Sequence, residues 1–139
     1  MPTPALAIAR TPLVAVYGTL KRGLRNHHWL DGADFLGSDR LTGVTLYDLG
    51  PYPGAKLAPS RGVEVEVFRV DARLLTGLDR LEDYRPRQPR LGLYDRTVHP
   101  TVFGPAWLYL YNPEVTGREA IRQGGWQPGP GYSGPARSQ

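Results

Sequence analysis

The chain has 139 residues, which is enough for one domain with its own hydrophobic core. It contains no cysteine, so a disulfide framework, a thiolate nucleophile and a cysteine-ligated zinc site are excluded. The net charge is +4, but the basic residues are spread along the sequence and are not interleaved with aromatic residues, so we predict no nucleic-acid partner.

The start of the chain lacks the pattern of a membrane or secretory segment. No run approaches the roughly 18 consecutive apolar residues that a membrane helix needs. The first residues hold prolines and a very short apolar stretch, whereas a signal peptide has a positive start and a longer apolar centre. We therefore expect no membrane partner and a loose lead-in over residues 1–11. The absence of cysteine favours a cytoplasmic protein, and the alternative is a secreted protein without disulfides.

Several short segments have the patterns of strands and are separated by glycine and proline. The first is an apolar run that ends in glycine, which is typical of a buried strand. A later segment alternates cleanly, with valines at 63, 65 and 67 on one face. The last has aromatic residues at 107, 109 and 111 on one face. The predicted strands are 13–18, 41–49, 62–70, 94–102 (interrupted by Pro100) and 106–111.

Helical periodicity is clear only over residues 71–84, with Asp71 as the predicted N-cap and Pro86 as the stop. A shorter helix is expected near 26–31. From 123 to 139 the sequence is rich in glycine, proline and serine, and we predict disorder there. The alternative is that Trp126 and Tyr132 pin this tail to the body as a flap over a site.

These elements predict one domain over residues 12–122 with an α+β fold. Short strands with one or two helices favour a small mixed, largely antiparallel sheet, and curling this sheet on itself would give a β-barrel.

The predicted helix carries an acid on its apolar side. On a helical wheel, four leucines fall within an arc of roughly 120°. Asp79, Arg80 and Asp83 fall outside this arc and are expected to be solvated, but Glu82 lies between Leu75 and Leu78. Burial raises the pKa of a carboxylate toward neutrality, as general acid/base catalysis requires. The structural alternatives are a buried salt bridge and a frayed last turn that leaves Glu82 in water.

A glycine-containing loop follows the first strand directly. Gly18 permits a tight turn or a close approach to a ligand, and exposed amides in such a turn bind carboxylates or oxyanions. Thr19 adds a hydroxyl group, and Lys21 and Arg22 add charge. The phosphate-binding and dinucleotide-binding glycine motifs are both absent. An ordinary strand-to-loop turn remains the alternative.

Taken together, these segments resemble the gamma-glutamylcyclotransferase-like superfamily, and most closely its gamma-glutamylamine cyclotransferase branch. The resemblance covers about residues 13 to 113. It depends on the order VYGTLKRG at 16–23, LYDLGPYP at 46–53, VEVEVFRV at 63–70 and LDRLEDY at 78–84, followed by the Tyr94 and Tyr111 strands. One departure is Val65-Glu66, where the family often has Gly-Glu.

The resemblance implies a small mixed barrel with a pocket at one end and a metal- and cofactor-independent enzyme of acyltransferase or lyase type. Its substrate would be a small gamma-glutamyl molecule, and its products 5-oxoproline and a free amine. Glu82 would be the catalytic acid/base. The substrate-binding residues would be Tyr17, Gly18, Thr19, Leu20, Tyr94 and Tyr111.

The alternative is a non-catalytic module on the same fold that binds a small ligand or another protein. Glu82 separates the two hypotheses, because a binding module has no need for a buried acid. The sequence leaves the individual gamma-glutamyl substrate and the oligomeric state open.

Overall fold

The computed structural model describes residues 3–129, which form two helices and eight strands. Short 3₁₀ turns at His27–Leu30 and Pro89–Leu91 lie between them. In chain order the elements are α1 Pro4–Arg10, β1 Leu13–Val16, β2 Asp34–Leu41, β3 Val44–Asp48, β4 Pro53–Leu57, β5 Val63–Arg69, α2 Ala72–Leu81, β6 Tyr94–His99, β7 Ala106–Tyr111 and β8 Glu119–Ile121.

The strands form two sheets, of five and three strands. The larger has the order β2-β5-β1-β7-β6 and is antiparallel except for the β1–β7 pair. The smaller has the order β4-β3-β8 and is antiparallel throughout. An α+β fold with two helices and mixed sheets is therefore confirmed. Within the part of the chain that the structure describes, the two sheets do not close into the expected barrel. The β-bridge between them is an isolated one, which pairs Val63 of β5 with Gly124 in the segment after β8.

The central strand β1 is buried on both faces and separates two hydrophobic clusters. Leu13 and Ala15 face the smaller sheet, together with the three alternating valines of β5. Val14 and Val16 face the other way and pack with the buried leucines of α2. An all-apolar strand is what a position covered on both sides requires.

Three strands and one helix were not predicted from the sequence. The strand β2 is an edge strand whose residues are mostly partly or fully exposed, so it has no alternating apolar pattern. The strands β4 and β8 are short and adjoin residues typical of turns. The break at Pro100 is observed, because β6 ends at His99.

The expectation of a loose lead-in is wrong for residues 4–10. Thr3 caps helix α1, its Oγ1 accepting a hydrogen bond from the Leu6 amide at 3.2 Å. Pro4 occupies the first turn, where its missing N–H costs nothing. Ala7 is buried, and the helix packs against α2. Pro4, which suggested irregular chain, is thus compatible with a helix start.

The expectation of a disordered tail is wrong for residues 123–129. Trp126 is only 1% exposed and lies in the cluster between the sheets. Its carbonyl accepts a hydrogen bond from Lys21 Nζ at 3.0 Å, and its Nε1 donates to Asp48 Oδ1 at 3.3 Å. Trp126 thus pins this segment, as the alternative anticipated, although it does not line the cavity described below. Tyr132 lies outside the described residues.

Trp126→Ala should destabilise the fold strongly, because it removes a buried indole from the cluster between the sheets. We expect the free energy of unfolding to fall by about 3–5 kcal/mol in urea denaturation. Gln127→Ala, at the exposed neighbouring position, should change it by less than about 0.5 kcal/mol. Equal stability of the two variants would contradict the packed position of Trp126.

Candidate active site

A cavity of about 300 Å³ opens where the end of α2, the loop after β1 and the β3–β4 turn meet. Among the residues expected to form a site, Tyr17, Gly18, Thr19, Leu20, Glu82 and Tyr94 all line it. Tyr111 does not. Its ring packs edge-on against Tyr94, with the ring centroids 5.3 Å apart.

The end of helix α2 places Glu82 in the cavity wall. Asp71 caps the start as predicted, its Oδ1 accepting a hydrogen bond from the Leu74 amide at 2.8 Å. At the other end the Asp83 amide donates to the Arg80 carbonyl at 3.2 Å, and the Tyr84 amide donates back to the Asp79 carbonyl at 2.8 Å. The last turn is therefore closed by a Schellman-type pair of hydrogen bonds and is not frayed.

The residue after Glu82 adopts a backbone conformation that usually belongs to glycine. Asp83 has φ 53°, and its Oδ2 accepts a hydrogen bond from the Leu93 amide at 3.1 Å. Gly92 fits against this turn because a Cβ there would overlap the Asp83 carbonyl oxygen. The helix end is thus joined to the loop that carries Leu93 into the cavity wall.

The carboxylate of Glu82 has no partner within residues 3–129. It makes no ion pair and accepts no hydrogen bond there, although its side chain keeps partial contact with the open cavity. Burial raises its pKa from the ordinary value of 4.5 to about 7. Among the described residues, the buried salt bridge that the sequence left open is not formed, and the raised pKa gives a carboxyl group that takes up and releases protons near neutral pH.

The tyrosines around Glu82 direct their hydroxyl groups elsewhere. Tyr17 donates to the carbonyl of Tyr109 at 2.7 Å, and Tyr94 donates to the carbonyl of Pro53 at 2.8 Å. Tyr109 donates to the carboxylate of Asp79 at 2.7 Å. Since a phenol has one hydrogen to donate, none of these three stabilises ionised Glu82. Burial also raises the pKa of each of these tyrosines, and the charge of Glu82 raises it further.

The buried cation Arg96 is held by another acid, Asp79. Arg96 binds Asp79 through two hydrogen bonds, of 2.9 and 3.2 Å. Its guanidinium lies 4.4 Å from the ring centroids of both Tyr84 and Trp107. Asp79 was expected to be solvated, and this is wrong because β6 presents Arg96 to that face of the helix. The charge of Arg96 is therefore neutralised by Asp79, and Glu82 stays unpaired.

The loop after β1 leaves its amides available. Its carbonyls are occupied: Gly18 O accepts from the Lys21 amide at 3.0 Å, Thr19 O from the Asn26 amide at 3.0 Å, and Leu20 O lies 2.9 Å from His27 Nδ1. The amides of Gly18, Thr19 and Leu20 donate to no acceptor in the described part of the chain. Three consecutive unpaired amides in a cavity wall suit a carboxylate or an oxyanion.

The loop's cations do not face the cavity, contrary to expectation. Lys21 is buried beneath the loop, where burial lowers its pKa, and it contacts Glu64 at 3.9 Å as well as the Trp126 carbonyl. Arg22 pairs with Glu66 at 3.4 Å, and Glu66 Oε1 also accepts the Arg22 amide at 2.8 Å. The Val65-Glu66 departure thus places Val65 in the core and uses Glu66 to support the loop.

Gly18 itself is needed for close packing. A Cβ at this position would lie 2.8 Å from Pro53 Cδ, which is too close for real atoms. The loop and the β3–β4 turn therefore touch through a glycine and a proline ring.

The sequence missed several lining residues, namely Arg25, Asn26, Tyr52, Leu81, Leu93 and Tyr109. Asn26 supports the loop, its Nδ2 donating to Thr19 Oγ1 at 2.9 Å. Tyr109 and Tyr111 lie on one face of β7, but only Tyr109 lines the cavity. The alternation of aromatic residues in β7 was the available signal, and it pointed to both.

Among residues 3–129, no helix is long and apolar enough to cross a membrane. Over the same range, no three histidine, aspartate or glutamate side chains are close enough together to hold a metal ion.

Comparison with known proteins shows what this arrangement is similar to. Residues 14–128 match the family model described as gamma-glutamyl cyclotransferase, AIG2-like. A protein of Escherichia coli K12, named gamma-glutamylcyclotransferase family protein YtfP, is 39% identical over 114 residues, which make up 81% of this chain and 94% of that protein. A Vibrio cholerae protein named putative gamma-glutamylcyclotransferase is 38% identical over 115 residues, or 82% of this chain and 94% of the relative.

Solved structures give the same result. The solution structure of the Escherichia coli protein ytfP matches with a TM-score of 0.65 and 38% identity, over 82% of this chain and 95% of that one. The crystal structure of an uncharacterised protein from Pyrococcus horikoshii matches with a TM-score of 0.66 and 30% identity, over 81% of this chain and 86% of that one.

Glu82→Gln should stabilise the protein at alkaline pH. The folded state raises the pKa of Glu82 to about 7, so it binds more protons than the unfolded state between pH 4.5 and 7, and stability falls as pH rises through this window. At pH 8 the variant should exceed the wild type by about 3 kcal/mol in the free energy of unfolding, and at pH 4 the two should coincide. Glu114→Gln, at an exposed loop residue, serves as control and should show no such difference.

The left-handed residue after Glu82 gives a second prediction. Asp83→Gly should be more stable than Asp83→Ala by about 1 kcal/mol in thermal or urea denaturation, because only glycine adopts φ 53° without a steric cost. Both variants lose the acceptor for the Leu93 amide, so the difference between their stabilities measures only the steric cost of the left-handed backbone conformation. Equal stabilities would show that the helix end relaxes to another conformation.

Proposed function

The chain belongs to the gamma-glutamyl cyclotransferase, AIG2-like family, and from this premise we propose that it releases 5-oxoproline and a free amine from a gamma-glutamyl compound. The observation that carries the proposal is the unpaired carboxyl group of Glu82, with a pKa of about 7, in the wall of a cavity that also presents unpaired amides. A group that ionises near neutral pH serves as both base and acid in one reaction cycle.

In the proposed reaction, the substrate's γ-carbonyl oxygen binds to the amides of Gly18, Thr19 and Leu20. Ionised Glu82 removes a proton from the substrate's α-ammonium group. The freed amine attacks its own γ-carbonyl carbon, and a five-membered ring forms. Negative charge develops on the carbonyl oxygen, where fixed amide donors stabilise it.

The second half of the cycle returns the proton. Protonated Glu82 transfers it to the departing nitrogen as the bond between that nitrogen and the γ-carbon breaks. Ionised Glu82 then takes the second proton from the ring nitrogen and passes it to the released amine, so the products are 5-oxoproline and the amine as its ammonium ion, and Glu82 is again ionised. Because the attack is intramolecular, correct orientation of the bound substrate contributes much of the acceleration.

The packing of Trp126 supports a wider domain than residues 12–122. We propose that the catalytic domain includes the segment through residue 129, because this segment contacts Lys21 beneath the loop at 17–20, which we call the substrate loop.

Glu82→Gln should abolish 5-oxoproline release while leaving the fold intact. Glutamine preserves the size of the side chain but exchanges no proton, so we expect kcat to fall at least about 1,000-fold. The measurement is 5-oxoproline produced from a panel of gamma-glutamyl amines and gamma-glutamyl amino acids, with circular dichroism to check folding. The wild-type kcat/KM should also fall as pH drops below about 7, because the base must be ionised.

Glu114→Gln is the matched control, since it makes the same exchange at an exposed position outside the cavity. Full activity of Glu82→Gln would refute the assignment of the acid/base. No 5-oxoproline from any substrate with the wild type, in an assay where an active cyclotransferase works, would favour the non-catalytic binding module.

A further inference from the structure

The tyrosines of the cavity differ in whether their hydroxyl groups bind the protein. Three of them donate to acceptors within the fold, as described above. Tyr52 is the exception, because its hydroxyl makes no hydrogen bond to any of residues 3–129 although the residue lines the cavity. It therefore keeps its one hydrogen for a bound molecule.

The turn that carries Tyr52 is held in place from several sides. Asp48 Oδ1 accepts hydrogen bonds from the Gly50 amide at 2.9 Å and from Trp126 Nε1 at 3.3 Å. The Leu49 amide donates to the Tyr52 carbonyl at 3.1 Å. The backbone of Tyr52 is thus held in place while its hydroxyl group has no partner among the described residues, which is the arrangement of a preorganised hydrogen-bond donor.

The next residue places this turn against the substrate loop. Pro53 packs against Gly18, at a separation that leaves no room for a side chain there. Tyr52 is therefore one residue away from the contact with the loop that presents the unpaired amides. The phenol and these amides belong to the wall of the same cavity.

The phenol also remains protonated in this environment. Burial raises the pKa of Tyr52 above its ordinary value, and the charge of Glu82 adds to this, although Arg118 and Arg25 act in the opposite direction. A tyrosine with a raised pKa is a hydrogen-bond donor throughout the neutral range.

We propose that Tyr52 is a substrate-contacting catalytic residue whose phenol donates a hydrogen bond to the γ-carbonyl oxygen as that oxygen gains negative charge. This inference depends on the proposed cyclotransferase function. The phenol keeps its proton throughout, and the proton transfers remain those of Glu82. The contact strengthens as the tetrahedral intermediate forms, so it lowers the barrier more than it tightens substrate binding.

The test compares Tyr52→Phe with Tyr47→Phe, using the full chain and one gamma-glutamyl substrate that the wild type cleaves. The first variant removes only the cavity hydroxyl. The second makes the same change on β3 at a residue outside the cavity wall. We expect kcat of Tyr52→Phe to fall on the order of 100-fold with little change in KM, and Tyr47→Phe to match the wild type.

The pH dependence of kcat/KM distinguishes a direct contact between Tyr52 and the substrate from an indirect effect of Tyr52 through Glu82. If Tyr52 acts on the substrate, the acidic limb of kcat/KM stays where it is in the wild type while its height falls. A shifted limb would mean that Tyr52 acts through Glu82 and would overturn the proposal, as would a kcat within about twofold of the wild type or a loss confined to KM. Because a wild type without activity would instead refute the cyclotransferase function itself, the two failures are distinguishable.

Discussion

The structure depends on one unpaired carboxylate. Burying an acid without a partner costs free energy, and a protein usually avoids this cost by supplying a cation or a hydrogen-bond donor. Here three of the cavity tyrosines and the buried cation Arg96 donate to other acceptors. The tyrosine hydroxyls bind two carbonyls and Asp79, and Arg96 binds Asp79 through two hydrogen bonds. Burial therefore raises the pKa of Glu82 with no opposing charge or hydrogen bond to lower it.

Asp79 and Glu82 show how three residues of separation on one helix change the chemistry of an acid. Asp79 has both oxygens bound by donors, whereas Glu82 has no donor within the described residues. The negative charges of Asp79 and Glu82 both raise the pKa of Tyr109, which shows that both acids lie near this side chain.

The sequence predicted those parts of the fold that have a simple periodicity. The helix with its cap at Asp71, the doubly buried strand β1 and the alternating valines of β5 followed from patterns of apolar residues. The edge strand β2, helix α1 and the packed Trp126 did not, because their positions depend on tertiary contacts that local pattern does not encode. The site shows the same division. Helical periodicity predicted that Glu82 lies on the apolar side of α2, but the unpaired hydroxyl of Tyr52 depends on hydrogen bonds that other residues make.

The contact between Lys21 and the Trp126 carbonyl has a consequence for how the molecule acquires its structure. It joins residues 105 positions apart, and Tyr17 and Tyr109 are joined across 92 positions. Such non-local contacts require a large loop to close before they contribute stability, which slows folding. During synthesis, the loop at 17–20 leaves the ribosome early but lacks its support until almost the whole chain has emerged. We therefore expect the binding pocket to be among the last regions to become ordered.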